Sequence, residues 1–489
     1  MKKKIFNILI ISTSILFIYS SQTAIDFTQS GTGYTVSGNI VTISTDGTYE
    51  LTGSQIDKKI IISSTATLNL NSLSLINNEA LTPIVISSNK AVNLVLSDTT
   101  TLQDSSINEN YGVIYLENGA SLTISGKGTL NLNPKNYFAV YGVYGTSLTV
   151  NDGAKISITS TATRVGGIYL QNIITFNNAI INYSCPNSSG KAIDTNGDIN
   201  IVKGEYNIVS GRGKGILTEK KLVLGELNQQ NSNLILNIET YDEAIEAMIL
   251  EINSGTFNII GREGGINIDA DNDICEQNYR CSGNCVCYFK FNGGNLTLTS
   301  NEEGIDANGD IFISGGNITI FAGSKSDDIP INQDGAFSIT GGNVIIGGFS
   351  STRRISPTTT QYSSIYSGTV NSGSKLVVTK NQTNEELASL TTPKTANYMY
   401  FNFPSQFNVK LNDVQIQTSN SSSTSGSGTS RPKRGDDDDW DDDDDDDWDD
   451  DDDDDDDWDD DFRESRGAHN YIKLSEIISI IMLGLQLFL

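Results

Sequence analysis

The chain has 489 residues, 60 acidic against 32 basic, and a formal charge of −28. Removing the 23 aspartates packed into residues 436–461 leaves −5, so the remainder is only mildly acidic and has no basic footprint for nucleic acid. One histidine, His469, lies near the C-terminal end, and no P-loop or dinucleotide fingerprint occurs. These features exclude Ser-His-Asp and Cys-His catalysis, His-ligated zinc and the usual nucleotide loops.

Residues 1–24 read as a secretory signal peptide. Lys2, Lys3 and Lys4 precede an apolar run over residues 5–19, and small residues follow. From residue 25 to 350 the pattern is that of short strands. A cassette of the form apolar-x-apolar-x-x-Gly-x-apolar-x-apolar occupies residues 199–208, 250–259, 289–298, 311–320 and 337–346, with Gly204, Gly255, Gly294, Gly316 and Gly342 at its centre. Period-two alternation buries one face of a strand, and the glycine marks a bend between two strands. A second motif carries Ile193, Ile216, Ile245, Ile266, Ile305 and Ile331, at steps of 23, 29, 21, 39 and 26 residues. Steps of that size fit the coils of a solenoid, and long helical periodicity is absent. The expected fold is therefore all-β, a parallel β-helix. The long step holds a Cys-rich insertion, residues 271–287, with Cys275, Cys281, Cys285 and Cys287. In an oxidising compartment these four form two disulfides of undetermined pairing, leaving Cys185 over. A zinc site is the alternative, but the spacing is not a usual zinc pattern.

Residues 351–412 read as a small all-β C-terminal part, and 413–435 as a Ser/Thr/Gly-rich linker ending in a basic stretch. The tail at 436–461, with Trp440, Trp448 and Trp458 among its aspartates, cannot bury enough apolar surface to order itself. Residues 462–489 resemble a GPI-attachment signal, with Ser465, Gly467 and Ala468 ahead of an apolar run. That reading places the protein at the cell surface and His469 in the removed segment. Sequons at Asn182, Asn187, Asn381 and Asn420 are candidate glycosylation sites, and Asn295 and Asn317 are further sequons inside cassettes.

Equivalent residues of adjacent coils stack about 4.8 Å apart. Aligned on the isoleucines, the next position reads Asp194, Leu217, Glu246, Asn267, Asp306 and Asn332. The preceding turns are also acidic, at Asp242, Glu243, Glu263, Glu302, Glu303, Asp327 and Asp328. Two like charges at that separation repel by roughly 3–4 kcal/mol at an effective dielectric near 20. Such a column titrates, stays solvated or binds a cation, and oxygen-only donors on turns suit calcium. The plainer alternative is a row of solvated turn residues.

The order of motifs resembles the clostridial calcium-binding carbohydrate-binding β-helix family. The resemblance spans roughly residues 36–410. It opens on Val36-Ser-Gly-Asn-Ile-Val-Thr-Ile43 and Gly47-Thr-Tyr-Glu-Leu-Thr-Gly53, and it is closest at Gly190-Lys-Ala-Ile-Asp-Thr-Asn-Gly-Asp-Ile-Asn-Ile201 and Glu303-Gly-Ile-Asp-Ala-Asn-Gly-Asp-Ile-Phe-Ile313. Gly264-Gly-Ile-Asn267 precedes the insertion, and Ile331-Asn-Gln-Asp-Gly335 resembles the last coils. The resemblance implies a right-handed parallel β-helix, bound calcium, and non-catalytic binding of acidic polysaccharide at the cell surface. Its implied metal ligands are Asp306, Glu303, Asn267 and Asp269, with Asp194, Asp328 and Asp334 as further positions. Two departures lower ligand charge: Arg262-Glu263-Gly264 stands where the family tends to have a double-acidic step, and Asn332 where it tends to have Asp.

Two other functions are open. A calcium-dependent β-helix polysaccharide lyase needs a base, for which only Arg212, Lys214 and Arg262 lie near the carboxylate face. A structural surface coat or adhesin needs no site at all. No tryptophan occurs outside the tail. Stacking on sugars therefore falls to tyrosine, with Tyr137, Tyr141 and Tyr144 as candidates, unless these are wall residues.

Overall fold

The computed structural model describes residues 22–105, 112–229, 233–269, 275, 286–325, 328–350 and 355–420. Most of the signal segment, Cys281, Cys285, the side chain of Asn420, the Asp/Trp tail and the GPI-type run lie outside the described residues. The described chain is all-β, a parallel β-solenoid of about 12 turns with a small antiparallel sheet.

Each coil contributes strands to three walls. The first wall stacks Ile40–Ile43, Lys59–Ile62, Ile84–Ile86, Ile114–Leu116, Phe138–Gly142, Gly166–Leu170 and Ile193–Thr195 in parallel register. It continues to Ile266–Ile268, Ile305–Ala307 and Ile331–Gln333. The isoleucines of the second motif form one inward column, with Ile193 beside Ile168 and Ile216, and all are buried. Burying such a side chain contributes roughly 1.5–3 kcal/mol. The alternate residue therefore faces outward on every coil.

The second and third walls meet at the cassette glycines. Gly204, Gly255, Gly294, Gly316 and Gly342 have φ values of 120°, 128°, 93°, 71° and 87°. At Gly204 a Cβ would stand 2.0 Å from the Ala179 carbonyl oxygen, so the coil below leaves room only for hydrogen. On the third wall, Asn207, Asn237 and Asn258 each donate a side-chain amide to the asparagine one coil earlier, at 3.0, 2.8 and 2.8 Å, beginning at Asn182. A second ladder joins Asn295, Asn317 and Asn343 at 2.7 and 2.9 Å.

Strands lie across two of the expected boundaries. Thr23 and Ala24, assigned to the signal, pair in parallel with Tyr49 and Glu50. Val414–Ile416, assigned to the linker, is the edge strand of the small sheet, where it pairs with Phe407–Leu411. The alternation of Val414 and Ile416 extends the strand pattern beyond the compositional break. In that sheet Lys375–Lys380 lies between Glu386–Thr391 and Phe407–Leu411. Tyr398–Phe403 instead runs antiparallel along Val344–Gly348, covering that edge of the last coil.

Candidate functional site

The outward column of the first wall changes chemistry along its length. Register pairs Val85 with Tyr115, Tyr115 with Tyr141, Tyr141 with Tyr169, and Tyr169 with Asp194. The three tyrosines form a stacked ladder. Ring centroids are 5.8 Å apart from Tyr115 to Tyr141 at 15°, and 5.5 Å apart from Tyr141 to Tyr169 at 18°. Phe138 stacks on Tyr141 at 5.6 Å and on Tyr169 at 5.5 Å, and Tyr137 meets Tyr141 edge-on at 5.2 Å. Burial, and then the neighbouring phenols Tyr137, Tyr169 and Tyr115, push the Tyr141 hydroxyl well above its ordinary range. Offset ring pairs of this kind contribute about 0.5–1.5 kcal/mol each beyond area burial.

Beyond Tyr169 the column continues as Asp194, Leu217, Glu246, Asn267, Asp306 and Asn332, in the order the isoleucine alignment gives. Its first half is buried: Asp194 is 4% and Glu246 6% exposed. The charge there is met from within. Lys214 Nζ lies 2.5 Å from Glu246 Oε2 and 3.3 Å from Glu243 Oε2. Burial alone would depress the Lys214 ammonium, but Glu246, Glu243 and Asp242 together raise it well above its usual range. Desolvation, then Glu243, pushes Asp242 up to about 8. Glu243 is held below the usual carboxylate range: desolvation opposes this, but the Asp242 side chain and Lys214 outweigh it.

The second half of the column is only partly buried. The Asn332 side-chain amide donates to Asp306 Oδ1 at 2.9 Å, and Asn267 is Asp306's register partner on the other side. Glu303 sits in the turn leading to this strand, and its carbonyl accepts from the Gly265 amide at 3.1 Å. Asp269 follows the Asn267 strand directly. Asp328 belongs to a turn: its Oδ2 accepts from the amides of Ser324 and Lys325, both at 2.7 Å. Asp334 lies past the last first-wall strand, its amide donating to the Ala307 carbonyl at 3.0 Å. Asp194 stands four coils from Asp306, roughly 19 Å at about 4.8 Å per step, so the two cannot share an ion. Among the described residues, no three Asp, Glu, His or Cys side chains gather closely enough to hold a metal ion. Asn267, Asp306 and Asn332 offer stacked oxygens of the type calcium accepts, but only one of the three is a carboxylate. A full calcium shell therefore needs oxygens from elsewhere.

Of the basic candidates, Lys214 is a half-buried ammonium held protonated by its carboxylate neighbours, the wrong state for proton abstraction. Arg262 is a surface partner of Glu239 at 3.7 Å. The Arg212 amide donates to the Ser188 carbonyl at 2.7 Å. Cys275 and Cys287 form a disulfide at the ends of the insertion. Cys185 is a free, buried cysteine whose thiol burial pushes up to about 11, an unreactive state. Asn187 and Asn381 are exposed sequons. Asn317 commits its side-chain amide to the ladder, where a glycan would displace it.

Tyr141 lies within the ladder, its ring packed between Tyr115 and Tyr169, which is the wall position given as the alternative to sugar stacking. Tyr137 packs against it, and Tyr144 is an exposed turn residue. Tyr115, Tyr169 and Phe138 were missed. Their signal was available: Ile114-Tyr115, Val140-Tyr141 and Ile168-Tyr169 repeat the Ile193-Asp194 dipeptide slot upstream.

A family model described as a carbohydrate-binding domain-containing protein matches residues 37–244 and 230–389, which takes in both halves of this column. No curated protein and no solved structure matches the chain.

Proposed function

Because the chain belongs to the family of carbohydrate-binding domain-containing proteins, we propose that it binds polysaccharide without catalysis along the outer face of the first wall. The observation that carries this reading is the single outward column in which stacked tyrosines give way to carboxylates and amides. An extended glycan needs an extended, rigid surface with apolar ring area and hydrogen-bonding groups, and a solenoid wall supplies both in register. Protonated Lys214 favours binding over the lyase reading.

The proposal includes acidic sugars and calcium at the partly exposed end. There Asn267, Asp306 and Glu303 would supply protein oxygens, and a uronate carboxylate would supply oxygens the protein lacks. When bound, calcium would neutralise the sugar charge beside an acidic wall. The leader pattern and the C-terminal run support a place at the cell surface, anchored through the membrane. The test is a panel of soluble neutral and acidic polysaccharides, read with calcium and with EDTA. Binding to at least one polysaccharide, with acidic members lost in EDTA, is the expected result. Binding to none refutes the function; acidic binding that persists in EDTA refutes the calcium component alone. Thermal melting gives a second readout: a ligand ion present at 100 times its Kd raises stability by about 2.7 kcal/mol.

A further inference from the structure

A column of side chains follows the corner where each second-wall strand ends. One residue past the paired strand ends, Asn151, Asn177, Val202 and Gly225 stand on successive coils, with Asn253 and Asn292 on the next two. These asparagines bond along the stack. Asn177 Nδ2 donates to Asn151 Oδ1 at 2.8 Å, Asn292 Nδ2 to Asn253 Oδ1 at 2.8 Å, and the Ser314 hydroxyl to Asn292 Oδ1 at 3.1 Å. The series breaks after Asn177, because Val202 has no side-chain amide to give. Among the described residues none donates to Asn177 Oδ1.

At the break lies a groove of about 420 Å³. Asn151 and Asp152 line it from one coil, Asn177 and Asn178 from the next, Val202 and Lys203 from the third, and Glu226 from the fourth. The four coils span three steps, roughly 14 Å at about 4.8 Å each. The frame beneath is fixed by the backbone. The amides of Asn177, Val202 and Gly225 donate to the carbonyls of Val150, Phe176 and Ile201 at 3.0, 2.9 and 2.8 Å, and the Gly153 amide donates to the Asn178 carbonyl at 2.9 Å. The hydroxyl of the buried Tyr206 donates to the Lys203 carbonyl at 3.1 Å. The lining thus carries planar amides, two carboxylates and one ammonium, with Val202 as its apolar patch.

We propose that this groove is a second glycan subsite, taking a short stretch of neutral, hydroxyl-rich sugar. A sugar hydroxyl donates to Asn177 Oδ1 in the place of the missing ladder amide. Asp152 and Glu226 accept from further hydroxyls, and Asn178 and Lys203 donate to hydroxyl or ring oxygens. Hydroxyls both donate and accept, which matches a lining that holds both kinds of group. A bare cation would leave the ammonium and the amide N–H groups unmatched, and a uronate would meet a lining with one excess negative charge. The strand Ile173–Phe176, four residues and about 13 Å long, separates this corner from the first wall, so the subsite is distinct from the column of tyrosines and carboxylates. Two separate subsites let one molecule hold two chains, or a chain and its branch. The proposal rests on the carbohydrate-binding reading of the family, but neither on the first wall nor on calcium.

The test uses the full chain against soluble glucan, mannan and xylan, with polygalacturonate and alginate in parallel. Val202→Asn supplies the missing ladder amide and fills the break, so it is expected to melt no lower than the wild type. Glu226→Gln removes a charge and keeps the shape, and Lys203→Ala leaves the carbonyl bonded by Tyr206 in place. The wild type is expected to bind at least one neutral polysaccharide, Val202→Asn to weaken that binding about tenfold, and Glu226→Gln and Lys203→Ala to weaken it as well, while acidic binding stays unchanged. If Val202→Asn fails to fold, the other two variants carry the test. Neutral binding equal in wild type and all folded variants overturns the subsite. So does a wild type that binds only acidic polysaccharide, and either result leaves the general function standing. A wild type that binds no polysaccharide overturns both.

Discussion

Lys214 decides how an acidic wall is tolerated. Its ammonium reaches the buried Glu246 across 32 residues of sequence, and with the half-buried Glu243 it makes a compact cluster. Removing one partner of such a cluster strands the other charges, at a cost of about 3–5 kcal/mol. Lys214→Met is therefore expected to lower the melting temperature by many degrees, and Lys214→Met combined with Glu246→Gln to recover part of the loss. Equal melting of the single variant and wild type would show that the cluster is solvated. Asp104 gives a pH signature of a different sign from ordinary salt-bridged carboxylates. Burial, partly offset by the Lys135 amide that donates to it, pushes its folded pKa up to about 7, against 3.8 for a free side chain. The folded chain then binds the extra proton, so the stabilisation is full below about pH 4, drains away as pH rises towards 7, and is flat above. Asp104→Asn is expected to remove that slope and to be the more stable form at pH 8, by an amount on the order of a few kcal/mol. Parallel stability curves for the two chains between pH 4 and 8 would contradict the assignment.

At the scale of the strand and its corner, the structure follows the sequence closely. The cassette names its own geometry: alternation for two strands, and a glycine where φ is positive. Gly204→Val at a φ of 120° against the Ala179 carbonyl is expected to cost about 1–3 kcal/mol. The same change at Gly38, whose Cβ would meet nothing within 4 Å, lacks that steric part and should cost less. Chemical denaturation midpoints of the two variants check this, and equal shifts would argue against the close approach as the cause. The isoleucine alignment likewise returns the outward column residue by residue, because a solenoid converts sequence spacing directly into stacking. Other features were not legible. The burial of Glu246 depends on Lys214 from a neighbouring coil, and no local pattern carries that information. Nor does spacing tell a carboxylate that caps a turn, such as Asp328, from one that faces the site.

For the whole molecule, the coil stack must end without offering its edge strands to other chains. Tyr34–Ser37 folds back on Ile40–Ile43 at one end. At the other, Tyr398–Phe403 covers Val344–Gly348, and its Met399, Phe401 and Phe403 join Phe321 and Ile345 in a second core. A chain ending at Gly348 is expected to self-associate with rising concentration in sedimentation velocity, and a monomer at all concentrations would show the edge is protected by other means. The central claim is that polysaccharide lies along the first wall. Hydroxyl-radical footprinting with and without a bound polysaccharide reads tyrosine side chains directly. Protection is expected at Tyr115 and Tyr141, with Tyr362 on the C-terminal part unchanged. Protection at Tyr362 while Tyr115 and Tyr141 react as in the free protein would contradict the account.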